Sequence, residues 1–228
     1  MQQKVAFFDI DGTIFRSSLL IELVDGLISA GHFPPKAREG FQKEYIAWRN
    51  REGTYESYIN ATVNVFVSNL KGLHYGSLAD VGREVVAIQS KQVYRYTRDL
   101  VEKLKKQNYY VVAVSQSPKT ILDDFCRNYG FDKVYGRMYE LGPTDKFTGQ
   151  VLSEEVMANK GNIIKRLLEE GEFTLDNSVA VGDTEGDIPM LDQVSMPICF
   201  NPNNTLFQHA KRMGWKVVVE RKDVIYEM

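Results

Sequence analysis

Hydrophobic and polar positions divide the chain into three zones of different period. A short apolar run, Val5-Ala6-Phe7-Phe8, predicts a buried strand at the start. From about Ser17 to Gln107 no strand pattern is convincing, and apolar residues recur at helical spacing instead. Ser18 is placed to cap a first helix carrying Leu19-Leu20-Ile21, Leu23-Val24 and Leu27-Ile28, which Gly31 ends. Pro34-Pro35 opens a second, with Phe41, Tyr45 and Trp48 along one face. Thr54 caps a third that runs to about Leu70, Gly72 to Gly76 forms a turn, and Ser77 caps a fourth through Val81, Val85 and Ile88. A fifth helix spans about Tyr94 to Lys106.

Beyond that point strands and helices alternate. Strands are predicted at Tyr109 to Val114, Lys133 to Tyr139, Ser178 to Gly182, Pro197 to Phe200 and Lys216 to Val219. Helices are predicted from Pro118 to about Tyr129, after Lys160, at Ile188 to Leu191 and after Asn203. Such alternation implies a parallel sheet covered on both faces, an α/β Rossmann-like core. The helical block between the first and second strands is too long for a simple crossover. It predicts an inserted all-helical cap, residues 16–88, on a core formed by 1–15 and 89–228. No internal repeat or low-complexity tract interrupts this plan.

Composition narrows the class. The 228 residues are 43% hydrophobic and 25% charged, with a net charge of −2, as in an ordinary globular protein. A near-neutral balance gives no basic field for nucleic acid or acidic membranes. No apolar run approaches the ~20 residues of a membrane span. The N-terminus enters a strand without a signal-like segment, which makes the cytoplasm the default location. Cys126 and Cys199 are isolated in apolar surroundings and are expected to be small buried hydrophobes. His32, His74 and His209 share no ligand spacing, which argues against a His-based metal site or a Ser-His-Asp triad.

The candidate chemistry sits at strand ends. Asp9-Ile10-Asp11-Gly12-Thr13 follows the first strand, and Asp183-Thr184-Glu185-Gly186-Asp187 follows the Ser178 to Gly182 run. Burying unpaired carboxylates costs several kcal/mol, so a cation is expected there, and an oxygen-only cluster suits a divalent metal. The run Tyr109 to Val114 ends in Ser115, and Asn159-Lys160-Gly161 opens a helix. Ligands of open parallel sheets bind outside the carboxyl ends of the strands, so these motifs converge on one crevice.

With those residues in place the sequence resembles the haloacid dehalogenase-like superfamily, all four motifs appearing in order. They are Asp9 and Asp11 in DIDGT, Ser115 in VVAVSQSPK, Lys160 in ANKGN, and Asp183 and Asp187 in VGDTEGD. Within it the chain is most similar to subfamily IB, the phosphoserine phosphatase-like branch, whose hairpin between the second and third motifs is matched by Gly136 to Val151. The resemblance implies a Mg²⁺-dependent phosphomonoester hydrolase acting on a small-molecule phosphate ester. It makes Asp9 the nucleophile that forms an aspartyl-phosphate and Asp11 the general acid and base. Ser115, backbone N–H groups near Gln116, and Lys160 would bind phosphate. Asp9, Asp183 and the main-chain carbonyl of Asp11 would ligate Mg²⁺, and Asp187 would hold metal-bound water or orient Lys160. A phosphotransferase of the same fold and a non-catalytic metabolite-binding relative are the alternatives.

The chain also departs from that branch. The place of its amino-binding glutamate falls near Ser18, with Glu22 one turn further on. The region of its carboxylate-binding arginine, Glu56 to Leu73, contains no arginine, and Asn60 or Asn64 takes that place. Gln116-Ser117 stands where the branch has two glycines. These differences argue against phosphoserine as the main substrate. Arg16, Arg49 and Arg51 are candidates for a second anionic group, and Tyr45, Trp48, Tyr55, Tyr58 and Phe66 form an aromatic stripe expected to be core.

Overall fold

A computed structural model describes residues 2–152 and 159–228. Its eight strands, β1 (Gln3–Phe8), β2 (Tyr110–Pro118), β3 (Lys133–Leu141), β4 (Phe147–Leu152), β5 (Phe173–Gly182), β6 (Met196–Phe200), β7 (Lys216–Arg221) and β8 (Val224–Glu227), form one sheet in the order β4-β3-β2-β1-β5-β6-β7-β8. The five pairings from β3 through β7 are parallel, and β4 and β8 close the edges antiparallel.

Strand periodicity explains how two layers attach to this sheet. Ala6 and Phe8 of β1, Val111 and Ala113 of β2, and Val179 and Val181 of β5 face one hydrophobic cluster. Val5, Phe7, Val112, Val114 and Ala180 face the other. The first face carries α5 (Arg95–Lys106), α6 (Lys119–Arg127) and the inserted helices α1 (Leu19–Ser29), α2 (Glu39–Arg49), α3 (Tyr55–Leu70) and α4 (Tyr75–Gln89). The second carries α7 (Gly161–Glu169), α8 (Ile188–Leu191) and α9 (Asn204–Met213). β1, β2 and β5 are apolar on both faces, as central parallel strands must be.

The inserted helices leave and rejoin the sheet domain side by side. Phe15 pairs antiparallel with Val93, and the Arg16 N–H donates to the Gln92 carbonyl at 2.9 Å. The β3–β4 hairpin reaches back to the same helices. Gly72 donates to the Phe147 carbonyl at 2.8 Å, Phe147 to Leu73 at 2.9 Å, and the rings of Phe66 and Tyr139 meet edge-on at 5.4 Å. Residues of α1, α3 and α4 therefore share one apolar cluster with the sheet. No helix among the described residues is long and apolar enough to cross a membrane.

Several local expectations are corrected. The fourth helix starts at Tyr75, because His74 Nδ1 accepts the Gly76 N–H at 3.1 Å and makes His74, not Ser77, the cap. Ser18 occupies the cap position of α1, but its hydroxyl makes no capping bond; the Leu19 N–H goes to Asp11 Oδ1 at 2.6 Å. β5 begins at Phe173, five residues earlier than its apolar run, because a bulge with Asn177 at φ 60° lets Asp176-Asn177 remain inside the strand. β8 has no counterpart in the sequence reading. Its turn places Lys222 at φ 56°, without the glycine or asparagine that marks such hairpins.

Candidate active site

The parallel register brings the ends of β1, β2 and β5 to one edge. The Asp9 N–H continues the β1–β5 pairing by donating to the Val181 carbonyl at 2.9 Å, so Asp9 is held by sheet geometry although it lies just past the strand. Its side chain is 5% exposed. Oδ1 accepts from Lys160 Nζ at 2.6 Å, while Oδ2 is buried and has no partner among the described residues.

Lys160 stands at the N-cap of α7, equally buried, and donates also to Asp187 Oδ1 at 2.6 Å. Burial disfavours its ammonium, but Asp187 and Asp9 outweigh that and hold the proton firmly. Asp187 is fully buried. Its Oδ2 accepts the N–H groups of Asp183 and Thr184 at 3.0 Å each, closing a capping box around the turn Glu185–Asp187. Thr184 caps that turn, Asp187 stands at the cap position of α8 without a side-chain capping bond there, and both Asp187 oxygens are taken by protein donors.

Asp183 follows β5, with Thr13 Oγ1 donating to its Oδ1 at 3.5 Å. Oxygens of Asp9, Asp183 and Asp187 lie within 4.8 Å of one another. Burial pushes Asp9 up to about 7 against the pull of Lys160, and burial together with Asp9 and Asp187 lifts Asp183 well above the carboxylate range. One ammonium thus faces three carboxylates. The orphaned Asp9 Oδ2 and the Asp183 carboxylate supply the all-oxygen donors that a hard divalent cation takes, so the residues fit one. Close packing keeps the oxygens there. Gly12 has φ 84°, and a Cβ on it would lie 2.2 Å from Asp183 Oδ2.

Asp11 is fixed differently. Oδ1 takes the Leu19 N–H, and Oδ2 accepts from Ser115 Oγ and from Ser117 Oγ, the latter at 2.9 Å. The Ser117 N–H donates in turn to Ser115 Oγ at 2.9 Å, and its hydroxyl accepts the Leu20 N–H at 3.2 Å. The Gln116 side chain is exposed and its Oε1 accepts from Arg137 Nε at 2.7 Å. The structure therefore gathers Asp9, Asp11, Ser115, Lys160, Asp183 and Asp187 at one edge, and turns the Gln116 side chain to solvent.

These positions agree with a match along the chain. Residues 6–192 fit the family described as haloacid dehalogenase-like hydrolase. The chain belongs to that family. The hydrolase is 25% identical to the histidinol-phosphatase of Neisseria meningitidis serogroup C (strain 8013), over 95% of this chain and 98% of that one. It is 22% identical to phosphoserine phosphatase SerB1 of Mycobacterium tuberculosis (strain ATCC 25618 / H37Rv), over 93% of this chain and 69% of that one. A solved structure, a phospho-aspartyl intermediate analogue of phosphoserine phosphatase, shares its fold with a TM-score of 0.64 at 21% identity, covering 98% of this chain and 96% of that one.

A pocket of about 650 Å³ opens beside the carboxylates of the hydrolase. Gly12, Tyr94, Asp183 and Asn201 line it from the sheet side, and Glu22, Trp48, Tyr55 and Tyr58 from the inserted helices. Arg16 lines it as expected, its guanidinium 5.5 Å over the Tyr94 ring. Asn60 and Asn64 are exposed and absent from its lining, and Arg49 is an exposed donor to Tyr45 Oη at 2.6 Å. Tyr45, Trp48, Tyr55 and Tyr58 are pocket wall as well as packing, where their spacing favoured core over pocket. The available signal was chemical: three of the four are tyrosines, whose hydroxyls suit a wet wall better than a closed core.

Proposed function

We propose that this hydrolase, whose relatives are phosphatases, cleaves small phosphate monoesters by way of an aspartyl-phosphate on Asp9, with Mg²⁺ as cofactor. The observation that carries the reading is the buried, unpartnered Oδ2 of Asp9, a carboxylate whose other oxygen is held by the Lys160 ammonium. A carboxylate so placed can attack phosphorus once the charge of the phosphate is neutralised. Lys160 provides part of that neutralisation, and Asp187 keeps it aimed. Asp9, Asp183 and the Asp11 main-chain carbonyl would hold the Mg²⁺, which when bound offsets the remaining charge of carboxylates and phosphate. Backbone N–H groups near Gln116 take phosphate oxygens, and Ser115 Oγ joins them when its single proton turns from Asp11 to the phosphate.

Asp11 serves as general acid toward the leaving oxygen and then as general base toward the attacking water. The Leu19 N–H and the two serine hydroxyls fix its carboxylate beside the nucleophile and keep it available for both steps.

Hydrolysis of p-nitrophenyl phosphate by wild type and Asp9→Asn, with Mg²⁺ and with EDTA, tests this function. Activity that requires both Mg²⁺ and Asp9 is expected, together with acid-stable trapping of substrate phosphate on wild type alone. Metal-independent turnover that survives in Asp9→Asn would reject the reaction proposed here.

A further inference from the structure

We infer that the pocket selects phosphate esters of neutral, flat aromatic alcohols, with Tyr45, Trp48 and Tyr55 as the wall on which the ring of the leaving group lies. The inference rests on the phosphatase reading and adds the leaving group. Coverage separates two kinds of aromatic residue in the inserted helices and their loops. Phe33 and Phe66 are sealed, at 1% and 0% exposure, and belong to packing alone. Phe41 and Tyr58 are also buried, yet they line the pocket. Tyr45, Trp48 and Tyr55 line it too and are only half-buried. Their rings brace one another. Trp48 stacks on Tyr58 with centroids 5.8 Å apart at 19°, Tyr55 meets Trp48 at 5.3 Å, and Tyr45 meets Tyr58 at 5.3 Å. Rings held in this way form a preorganised apolar surface, on which a further ring gains contact area and offset or edge contacts at little cost in ordering. Ile21 adds an aliphatic side chain to the same lining.

Charge and size point the same way. The cavity runs from Gly12 and Asp183 at the strand ends to these rings, so an alcohol esterified at the carboxylates extends onto them. Arg38 lines the cavity but is neutralised by Asp25 at 3.1 Å. Arg16 sits over Tyr94 on the sheet side, near Asp183 and therefore at the phosphate end. The helices have no arginine between Glu56 and Leu73, and Glu22 lines the cavity as a carboxylate already held by Ser17 Oγ at 2.9 Å and Gln89 Nε2 at 3.2 Å. An alcohol bearing a carboxylate would meet that charge with no free cation on the helices to offset it. Burial raises the phenols of Tyr55 and Tyr58, the latter to about 12, so the wall itself stays neutral. At about 650 Å³ the cavity is in the range of sites that enclose ring-bearing ligands.

The test is a comparison of kcat/KM for 2-phenylethyl phosphate, 2-cyclohexylethyl phosphate, ethyl phosphate, phosphoethanolamine and phosphoserine, with p-nitrophenyl phosphate as the control for turnover. The first three alcohols are of similar acidity, so differences among their esters report on the pocket and not on the leaving oxygen. The phenylethyl ester is expected to exceed ethyl phosphate by roughly thirtyfold or more, and the cyclohexylethyl ester by roughly threefold or more. Trp48→Leu keeps an apolar side chain and removes the ring, and should bring the phenyl-to-cyclohexyl ratio toward one; Trp48→Phe should keep most of it. Ratios taken within each variant cancel any loss of folded enzyme. A wild-type kcat/KM for the phenylethyl ester no higher than for the ethyl or cyclohexylethyl ester, or a preference for phosphoserine or phosphoethanolamine, in an enzyme that cleaves p-nitrophenyl phosphate would overturn the aromatic site and leave the phosphatase reading intact. Failure to cleave any ester in the presence of Mg²⁺ would overturn both.

Discussion

At the scale of single residues, the site depends on groups that hold its clustered carboxylates in place without belonging to the cluster. Ser117 is one. Its hydroxyl bonds Asp11 and its N–H bonds Ser115, so Ser117→Ala removes one of three donors to Asp11, the proposed general acid. We expect a loss of up to about tenfold in kcat, and a displaced acidic or basic limb of the pH–rate profile, with little change in KM. Gly12 is another. Gly12→Ala forces a Cβ into Asp183 Oδ2 at a positive φ, and is expected to lower stability by about 1 kcal/mol and Mg²⁺ affinity more than tenfold, measurable by thermal shift and by metal titration. The key carboxylates and Lys160 were legible in the sequence because each ends an apolar run or opens a helix. Ser117 was visible only as a departure from two glycines, since a hydroxyl two residues past a motif does not reveal which carboxylate it will reach. Glu22 was noticed as the turn beyond Ser18, but its neutral partners come from residues 5 and 67 positions away.

At the scale of elements, the sheet was legible wherever strands were apolar on both faces, and the helices wherever a cap matched the pattern. Thr54 accepts the Ser57 N–H at 3.1 Å, as its position predicted. Thr54→Ala should cost about 1 kcal/mol of stability, seen as a lower denaturant midpoint with an unchanged slope. The cap of α4 was misjudged because histidine is an uncommon cap and Ser77 a common one, and only the packed turn decides between them. The edge strand β8 was missed because edge strands carry weaker alternation and its turn, Lys222-Asp223, has no glycine or asparagine at the positive-φ position. The aromatic stripe was read by spacing alone. Spacing shows that residues share a face, and it does not show whether that face meets another helix or a pocket.

At the scale of the molecule, the inserted helices and one sheet face share a continuous apolar cluster, so their stabilities are coupled. Calorimetry is expected to give one unfolding transition whose van't Hoff and calorimetric enthalpies agree. Both thiols lie at 0% exposure, and burial raises them, Cys199 to about 12. A thiol reagent should therefore label neither cysteine in the native enzyme and both in denaturant.

The paired exits of the inserted helices have one more consequence. Phe15 and Val93 are neighbours in a bridge, so the long excursion between them starts and finishes at a single point on the sheet. Lengthening, shortening or replacing the excursion places no tension on β1 or β2. The excursion supplies much of the pocket wall and the strand ends supply the carboxylates, with the Leu19 and Leu20 N–H groups tying the two together at Asp11 and Ser117. A chimera joined at Arg16 and Gln92 is expected to keep the carboxylate cluster provided that the graft restores the apolar face shared with the sheet and the N–H that holds Asp11.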